Sequence, residues 1–301
     1  MEFKTFIEGK TLDARIERIQ ITDKQGAQAD DLRIEIVNDD HEGIERGGIL
    51  EGIFSGYKSG KMHIDKISST TRRTLIGAIS APVSAKEKRS RHWRKVRLFD
   101  IVNDVAVECG ISVYYENVTN HYYENVTQHN ESSLAFLNRL CIREGYSLKI
   151  DDDRAIIYDI ESAEACSPAF TIGAGQKIEV INDTISFSEN PNMVRSVTVK
   201  HYADRLISCT AESGTLGERV TKREYVGNEA EAERFARGYL RHYTQGDTTV
   251  DALIPINDGI ASGMCVEFAG YGRYSGKYFI SECCHDPKNE QTRICGRKVR
   301  C

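Results

Sequence analysis

Nowhere in the 301 residues does an apolar run approach the ~20 residues that a membrane-spanning helix requires. The amino-terminal MEFKTFIEGK lacks the apolar core of a secretion signal, so an exported precursor is not expected and the cytoplasm is the expected starting compartment. Positive charge is not in excess either. Lys and Arg number 40 against 45 Asp and Glu, a formal net charge of -5, so nothing draws the whole chain to nucleic acid or to an anionic membrane. Hydrophobic residues at 40% and charged residues at 28% are ordinary globular usage, which excludes a disordered chain. The length calls for two or three domains.

A disulfide framework is also missing. The nine cysteines are odd in number and scattered, and without an export signal they are expected to be reduced. Cys109 and Cys141 fall on apolar helix faces, where a thiol acts as a small hydrophobe. The dense group is Cys283, Cys284, His285, Cys295 and Cys301. It has no CxxC, and neighbouring cysteines on a strand point to opposite faces, so strand packing is favoured over a zinc site. The Asn-x-Ser/Thr matches at Asn117, Asn125, Asn130 and Asn182 are chance matches in a chain that is not exported.

Catalytic signatures fail one by one. The string His41-Glu42-Gly43-Ile44-Glu45 has Glu where a metalloprotease needs its second His, and its glycine suits a loop. Ser59 lacks the glycine two residues earlier that a nucleophile elbow requires. Asp151, Asp152 and Asp153 are consecutive and therefore diverge, which suits a turn and not a pair of glycosidase carboxylates. The eight histidines show no pair at ligand spacing, and the glycine-rich stretch near residue 50 contains no GxxxxGK[ST]. No catalytic, cofactor-binding or metal-ligating residue is nominated, no cofactor is expected, and the chain is not expected to be an enzyme. A site assembled only by the fold stays open.

Local patterns are clear. In HNESSLAFLNRLCIREGYSLKI, Asn130 suits an N-cap, Glu131 the first turn and Gly145 the left-handed stop. Leu134, Phe136, Leu137, Leu140 and Cys141 share one face of the intervening helix, with Asn138, Arg139 and Arg143 outside it; Ile142 and Ala135 lie opposite, which implies either one exposed apolar residue or a second, weaker contact. Tyr146 to Ile150 and Ala155 to Tyr158 then read as two strands around the acidic turn. A second helix follows from Leu98, Ile101, Val102, Val105 and Cys109, closed by Gly110. A third begins at Asn228 with Glu231 in a capping-box variant and carries Ala232, Phe235, Ala236, Tyr239, Leu240 and Tyr243.

Residues 1 to 84 otherwise read as short strands with glycine at their ends, the mark of a small antiparallel barrel. Lys86 to Arg97 holds seven basic residues around the single tryptophan, and a solvated connector is favoured there over a nucleic-acid grip. YYENVTNH at 114 to 121 is followed by YYENVTQH at 122 to 129, and an even-numbered duplication lets both copies present the same side chains to the same face. Glu161 to Pro168 reads as a linker. Beyond it come expected strands at Lys177 to Ile181, Thr184 to Ser188, Met193 to Tyr202, Leu206 to Ala211, Arg219 to Val226, Thr248 to Ile254, Met264 to Ala269, Tyr278 to Cys284 and Thr292 to Val299, with a hairpin tip at Asp286 to Asn289.

The run ESSLAFLNRLCIREGYSLKI resembles the signature of the phage baseplate hub family, late control protein D, with Ser133 where an Asp is usual. LFDIVNDVAVECG resembles that family's Thr-Leu-x-Asp-Ile-Val helix with Arg97 in place of Thr, and His285 in FISECCHD resembles the histidine ending its penultimate strand. The order of segments is similar along the whole chain. The resemblance implies an α+β chain of two antiparallel β-barrel-like domains with an inserted small α/β domain: residues 1–84, 85–165 and 166–301. It further implies a structural hub of a phage tail, tailocin or other contractile injection system, found in the tail baseplate and assembled in the host bacterial cytoplasm. Such a hub is a homotrimer adapting the hexameric tail tube to a trimeric central spike, with tape-measure and other baseplate proteins as further neighbours. The spike is expected to be a separate chain, and neither membrane nor nucleic acid is an expected partner. A tail-associated peptidoglycan hydrolase is the alternative.

Overall fold

The computed structural model describes residues 3–26, 28–37, 44–189, 194–202 and 204–299. The first part is all strand: β1 Phe3–Ile7, β2 Lys10–Thr11, β3 Ile16–Lys24, β4 Asp31–Val37, β5 Ile49–Phe54, β6 Tyr57–Lys58, β7 Met62–Ser69 and β8 Arg73–Ile79. The middle is mixed: β9 Lys88–Arg97, α1 Leu98–Cys109, β10 Ser112–Glu116, β11 Tyr122–Ser132, α2 Ser133–Glu144, β12 Tyr146–Asp151, β13 Arg154–Asp159 and α3 Ile160–Ala165. Then come β14 Phe170–Ile172, β15 Ile185–Glu189, β16 Val194–Tyr202, β17 Leu206–Glu212, β18 Glu218–Arg223, α4 Glu229–Thr244, β19 Thr248–Pro255, β20 Cys265–Phe268, β21 Gly276–Asp286 and β22 Gln291–Lys298.

The chain is α+β, as expected, but the barrels are not closed. The strand-rich first and last parts run into one another as a single sheet, ordered β15-β19-β22-β21-β3-β4-β8-β7-β5-β1-β2. Its joint is the antiparallel pairing of β21 with β3, with Glu282 opposite Lys24, Cys283 opposite Asp23, Cys284 opposite Thr22 and His285 opposite Ile21. An edge that a closed barrel would seal on itself is thus sealed by the other end of the chain. The first part still curls over its own core: a Cβ on Gly52 of β5 would lie 3.2 Å from Ile21 of β3. Ile19, Ile21, Leu32, Ile34, Ile36 and Ile76 alternate inward there, the period of two that one buried face demands.

The middle part also differs from a small self-contained insert. Its buried residues on α1, α2 and β12 form one core with Val197 and Val199 of β16 and with Phe235, Ala236 and Leu240 of α4. Strand β16 is central in a three-stranded sheet, antiparallel to β17 and parallel to β18. Two further small sheets complete the middle: β10 parallel to β13 with β12 beside it, and the two-stranded ribbon β9–β11.

Helix α2 keeps its predicted stop at Gly145, where φ is 81°, but starts later than Asn130. Ser132 is the N-cap, its hydroxyl accepting from Ala135 N at 3.3 Å. Asn130 sits in β11 with φ 47°, at a bulge where the register with β9 shifts. Phe136, Leu137, Leu140 and Cys141 are buried as the wheel requires, each large side chain contributing about 1.5–3 kcal/mol. The second contact at Ile142 is real: α4 crosses there, so close that a Cβ on Gly238 would sit 2.3 Å from Arg143 O. Helix α1 ends at Gly110, φ 73°. With Arg97 unable to cap it, Asn120 Oδ1 accepts from Phe99 N at 3.0 Å, and Asp100 reaches back to Arg97 N at 3.3 Å.

Three further expectations are corrected. Lys88 to Arg97 is no solvated connector but a full strand. Glu161 to Ala165 is helical, capped by Asp159 Oδ2 accepting from Ser162 N at 2.7 Å, because its acids find arginines on α4 and β22. Lys177 to Ile181 forms no strand, and only Ile178 bridges to Ile172. The strand expected from Met193 begins, among the described residues, at Val194. His41, Glu42, Gly43 and Cys301 lie outside the described residues.

The duplicated octapeptide keeps its parity but divides its labour. Tyr114 and Tyr122 point outward while Tyr115 and Tyr123 turn inward. The first copy ends β10 and then supplies Asn120 to cap α1, whereas the second is the core of β11.

Candidate functional site

The residues that hold this architecture converge on the β12–β13 hairpin. Its inner face, Tyr146, Leu148 and Ile150, packs on α2, while the other row carries Ser147, Lys149 and Asp151. That row meets the junction of the two ends of the sheet. Lys149 Nζ pairs with Asp23 at the end of β3, donates to Ser262 Oγ at 2.8 Å and lies 3.9 Å from Asp30 Oδ2. Asp23 also accepts from Ser262 N at 2.8 Å and Ser262 Oγ at 2.6 Å. Asp30 accepts from Lys24 N at 2.6 Å, and its own N–H donates to Ser80 Oγ at 2.9 Å. One ammonium therefore ties the first, middle and last parts of the chain.

The charge there is unequal, two carboxylates to one lysine. Burial, with Asp23 close by, pushes the Asp30 carboxyl up to about 8 against the pull of Lys149. Burial would lower the lysine, but Asp23 and Asp30 together hold it above its ordinary value.

The hairpin tip makes a second set of contacts with the first part. Asp152 Oδ1 accepts from Lys61 N at 3.2 Å, and Asp153 Oδ1 is 2.7 Å from His63 Nε2. The acidic turn is thus a turn, as expected, and a latch as well. On the far side Tyr158 packs with Cys265 and Phe279 of the last part.

His285 is buried one register step from this knot, its Nδ1 3.0 Å from Thr292 Oγ1 and its ring against Tyr57 and Phe54 at 4.6 and 5.2 Å. Burial drops its pKa to about 4, so it is a neutral core histidine at neutral pH. Cys283 is buried, while Cys284 on the opposite face receives Thr22 Oγ1 at 3.7 Å. Among the described residues no group of His, Cys, Asp and Glu is arranged to hold a metal. Ser59 is buried in a turn, its Oγ accepting from Gly52 N at 2.9 Å and donating to Gly60 O at 2.9 Å.

A second buried knot lies where α2 crosses α4. Glu144 Oε2 accepts from Arg234 Nε at 2.5 Å and Glu144 Oε1 from Tyr123 Oη at 2.6 Å. Arg143, placed outside the apolar face by the helix wheel, is 4% exposed, its guanidinium 4.9 Å from the Tyr123 ring and 4.5 Å from the Phe235 ring. Arg139 reaches back to Glu131 at 2.7 Å and to Thr127 O at 2.7 Å. These contacts are what the polar letters of the ESSLAFLNRL run do. They fasten α2 to the ribbon on one side, and Arg143 and Glu144 fasten it to α4 on the other.

None of the keystone residues was nominated from sequence. Lys149 alternates with Leu148 and Ile150 and so reads as solvent-facing, and Asp23 and Asp30 lie near strand ends where acids are common. A lone lysine in a strand otherwise flanked by apolar residues is the only trace. A groove of about 720 Å³ between α3, α4 and β22 gathers Glu161, Glu164, Arg237, Arg241 and Arg297. Glu164 is tied there to Arg241 and Arg297, and Glu161 to Arg241 at 3.2 Å.

With this geometry in hand, comparison with solved structures shows the same fold in tail proteins. The 43 kDa tail protein of prophage MuSo2 from Shewanella oneidensis superposes with a TM-score of 0.76 at 13% identity, covering 99% of this chain and 98% of that one. The tail protein from Neisseria meningitidis MC58 gives 0.76 at 13%, covering 99% and 97%. The E. coli c3393 protein, a component of the type VI secretion system, gives 0.65 at 11%, covering 98% and 77%. No curated protein sequence matches the chain. The family model described as phage tail baseplate hub (GPD) matches residues 81–289, which take in the α2–α4 knot, the keystone hairpin and the β21 side of the joint, and the chain therefore belongs to the phage tail baseplate hub family.

Proposed function

We propose that the chain is a structural tail hub, acting as a homotrimeric adaptor between a hexameric tail tube and a trimeric central spike. The observation that carries the reading beyond family membership is the keystone hairpin. It welds two strand-rich stretches, residues 1–84 and 166–301, to the mixed stretch 85–165 through buried charge, so the three move as a body. A part that passes force from spike to tube needs that rigidity. Two strand-built modules per chain supply six in a trimer, and cyclic symmetry closes the ring with the sheet edges at β2 and β15 available for contact. In this reading the protein acts in the tail baseplate of a phage or tailocin, is assembled in the host cytoplasm, and does its work through surfaces without catalysis.

The test is hydrodynamic. The purified chain is expected to sediment at about three times its 33.9 kDa mass, or, co-expressed with neighbouring tube and spike proteins, in a larger complex that holds three copies of it. A monomer that stays monomeric beside both partners defeats the adaptor reading. Clearing of peptidoglycan in a zymogram by the purified chain would replace it with the hydrolase.

A further inference from the structure

The basic run that reads as a connector is split in two by its strand. On β9 the inward residues are neutralised: Arg89 and Arg91 both pair with Glu108 on α1, and Trp93 stacks on Phe136 of α2 at 5.2 Å while its Nε1 donates to Asp104 at 3.1 Å. The outward residues Lys88, Arg94, Lys95 and Arg97 are exposed, and none of them forms an ion pair among the described residues. Lys95 has φ 50°, and it is exposed together with its neighbour Arg94. Opposite them β11 contributes Asn125 facing Arg94, Thr127 facing His92, and Tyr122 facing Arg97 and 46% exposed. The only acid of this outer face on β11 is Glu124, which accepts from Tyr122 Oη at 3.2 Å. A chain of net charge -5 thus keeps a ribbon face of unmatched cations.

We propose that the outer face of the β9–β11 ribbon docks a carboxylate-rich face of a different protein of the tail. The inference rests on the hub reading and names one partner surface within it. This face does not pair with its own counterpart on a second copy, because like charges would oppose one another. Nucleic acid is the poorer fit: four unpaired cations on an otherwise acidic chain give little of the counterion release that drives phosphate binding, and the remaining charge repels a polyanion at long range. Carboxylates on a folded protein can meet the cluster of Arg94, Lys95 and Arg97 at one end of the strand and Lys88 at the other, with Tyr122 as a partly exposed aromatic anchor beside Arg97.

The experiment uses assembled particles. Thr127→p-benzoylphenylalanine places a photo-crosslinker in the middle of the face, and the crosslinked peptide is identified by mass spectrometry after irradiation. The expected product joins this chain to an Asp/Glu-rich segment of another tail protein. In the Lys88→Glu/Arg94→Glu/Lys95→Glu/Arg97→Glu background its yield falls about tenfold or more, while reversal at Lys10, Lys58 and Arg72 on the first part leaves it unchanged. Sedimentation and melting of the isolated variants guard against misfolding, and Arg94→Gln/Arg97→Gln serves where the fourfold variant does not fold. A crosslink to a second copy of this chain, a crosslink to DNA, or none in particles that contain the chain overturns the proposal. Absence of the unmodified chain from particles, seen by immunoblot, instead overturns the hub reading beneath it.

Discussion

The two buried ionic knots are balanced in different ways. At the keystone hairpin two carboxylates, Asp23 and Asp30, share the single ammonium of Lys149. At the α2–α4 crossing one carboxylate, Glu144, meets Arg234 with the second guanidinium of Arg143 alongside. A buried site tolerates little net charge. The first knot sheds its surplus by keeping a proton on Asp30, whereas the second sets the buried Glu231 within electrostatic reach of both arginines and lays Arg143 between the faces of Tyr123 and Phe235. One solution responds to pH and the other to packing.

The largest effect is expected from Lys149→Met, which leaves Asp23 and Asp30 buried without a cation and should cost about 3–5 kcal/mol by urea unfolding. Asp30→Asn in the same background should recover part of that loss, since it removes one of the two carboxylates. If Lys149→Met is neutral, the hairpin is not the keystone. Next comes the packing knot. Gly238→Ala forces a methyl against Arg143 O and should cost about 3 kcal/mol, and Glu144→Gln about 2 kcal/mol, discounted because Arg234 is partly exposed. These two share the helix crossing and should be less than additive. Full additivity would mean that the helices do not move together.

The pH dependence sharpens the contrast. Asp30 has a carboxyl value of 3.8 when free and about 8 when folded, so between these the folded chain holds a proton that the unfolded chain has released. Its contribution to stability is whole below about pH 4 and is lost as pH rises toward 8. His285 runs the other way, from 6.5 down to about 4, so its contribution is present above 6.5 and is lost as pH falls toward 4. The stability difference between wild type and Asp30→Asn should therefore decline steadily over that range, and that for His285→Gln should rise from pH 4 to 6.5. A level Asp30→Asn difference would mean that the first knot carries no proton. The smallest effect separates two capping candidates: Ser132→Ala should cost about 1 kcal/mol and Asn130→Gly, which keeps the positive φ open, much less, read from thermal melts.

What the sequence made legible was local. The stops at Gly110 and Gly145, the cap at Asn228 and the turn at Asp152 and Asp153 follow from backbone preferences that act within a few residues. Arg143 was misplaced because a wheel sorts by polarity, and a guanidinium between two rings is polar and buried at once. The barrels failed to close for a different reason. Which strand seals the edge of β3 is decided by how Cys283 and Cys284 fit beside Asp23 and Thr22, and no local pattern encodes a partner so far along the chain. Alternation, likewise, could not tell that Lys149 faces a carboxylate and not water.

The joint between β3 and β21 also sets an order of events. Thr22 and its partner Cys284 are 262 residues apart, and contacts of such separation form late because the loop between them must first be closed. During synthesis β3 emerges early and holds an open, isoleucine-backed edge until nearly the whole chain has left the ribosome. Nascent chains stalled or cut before residue 276 would carry that edge unpaired, and a cell making many copies at once would have to shield it from its neighbours.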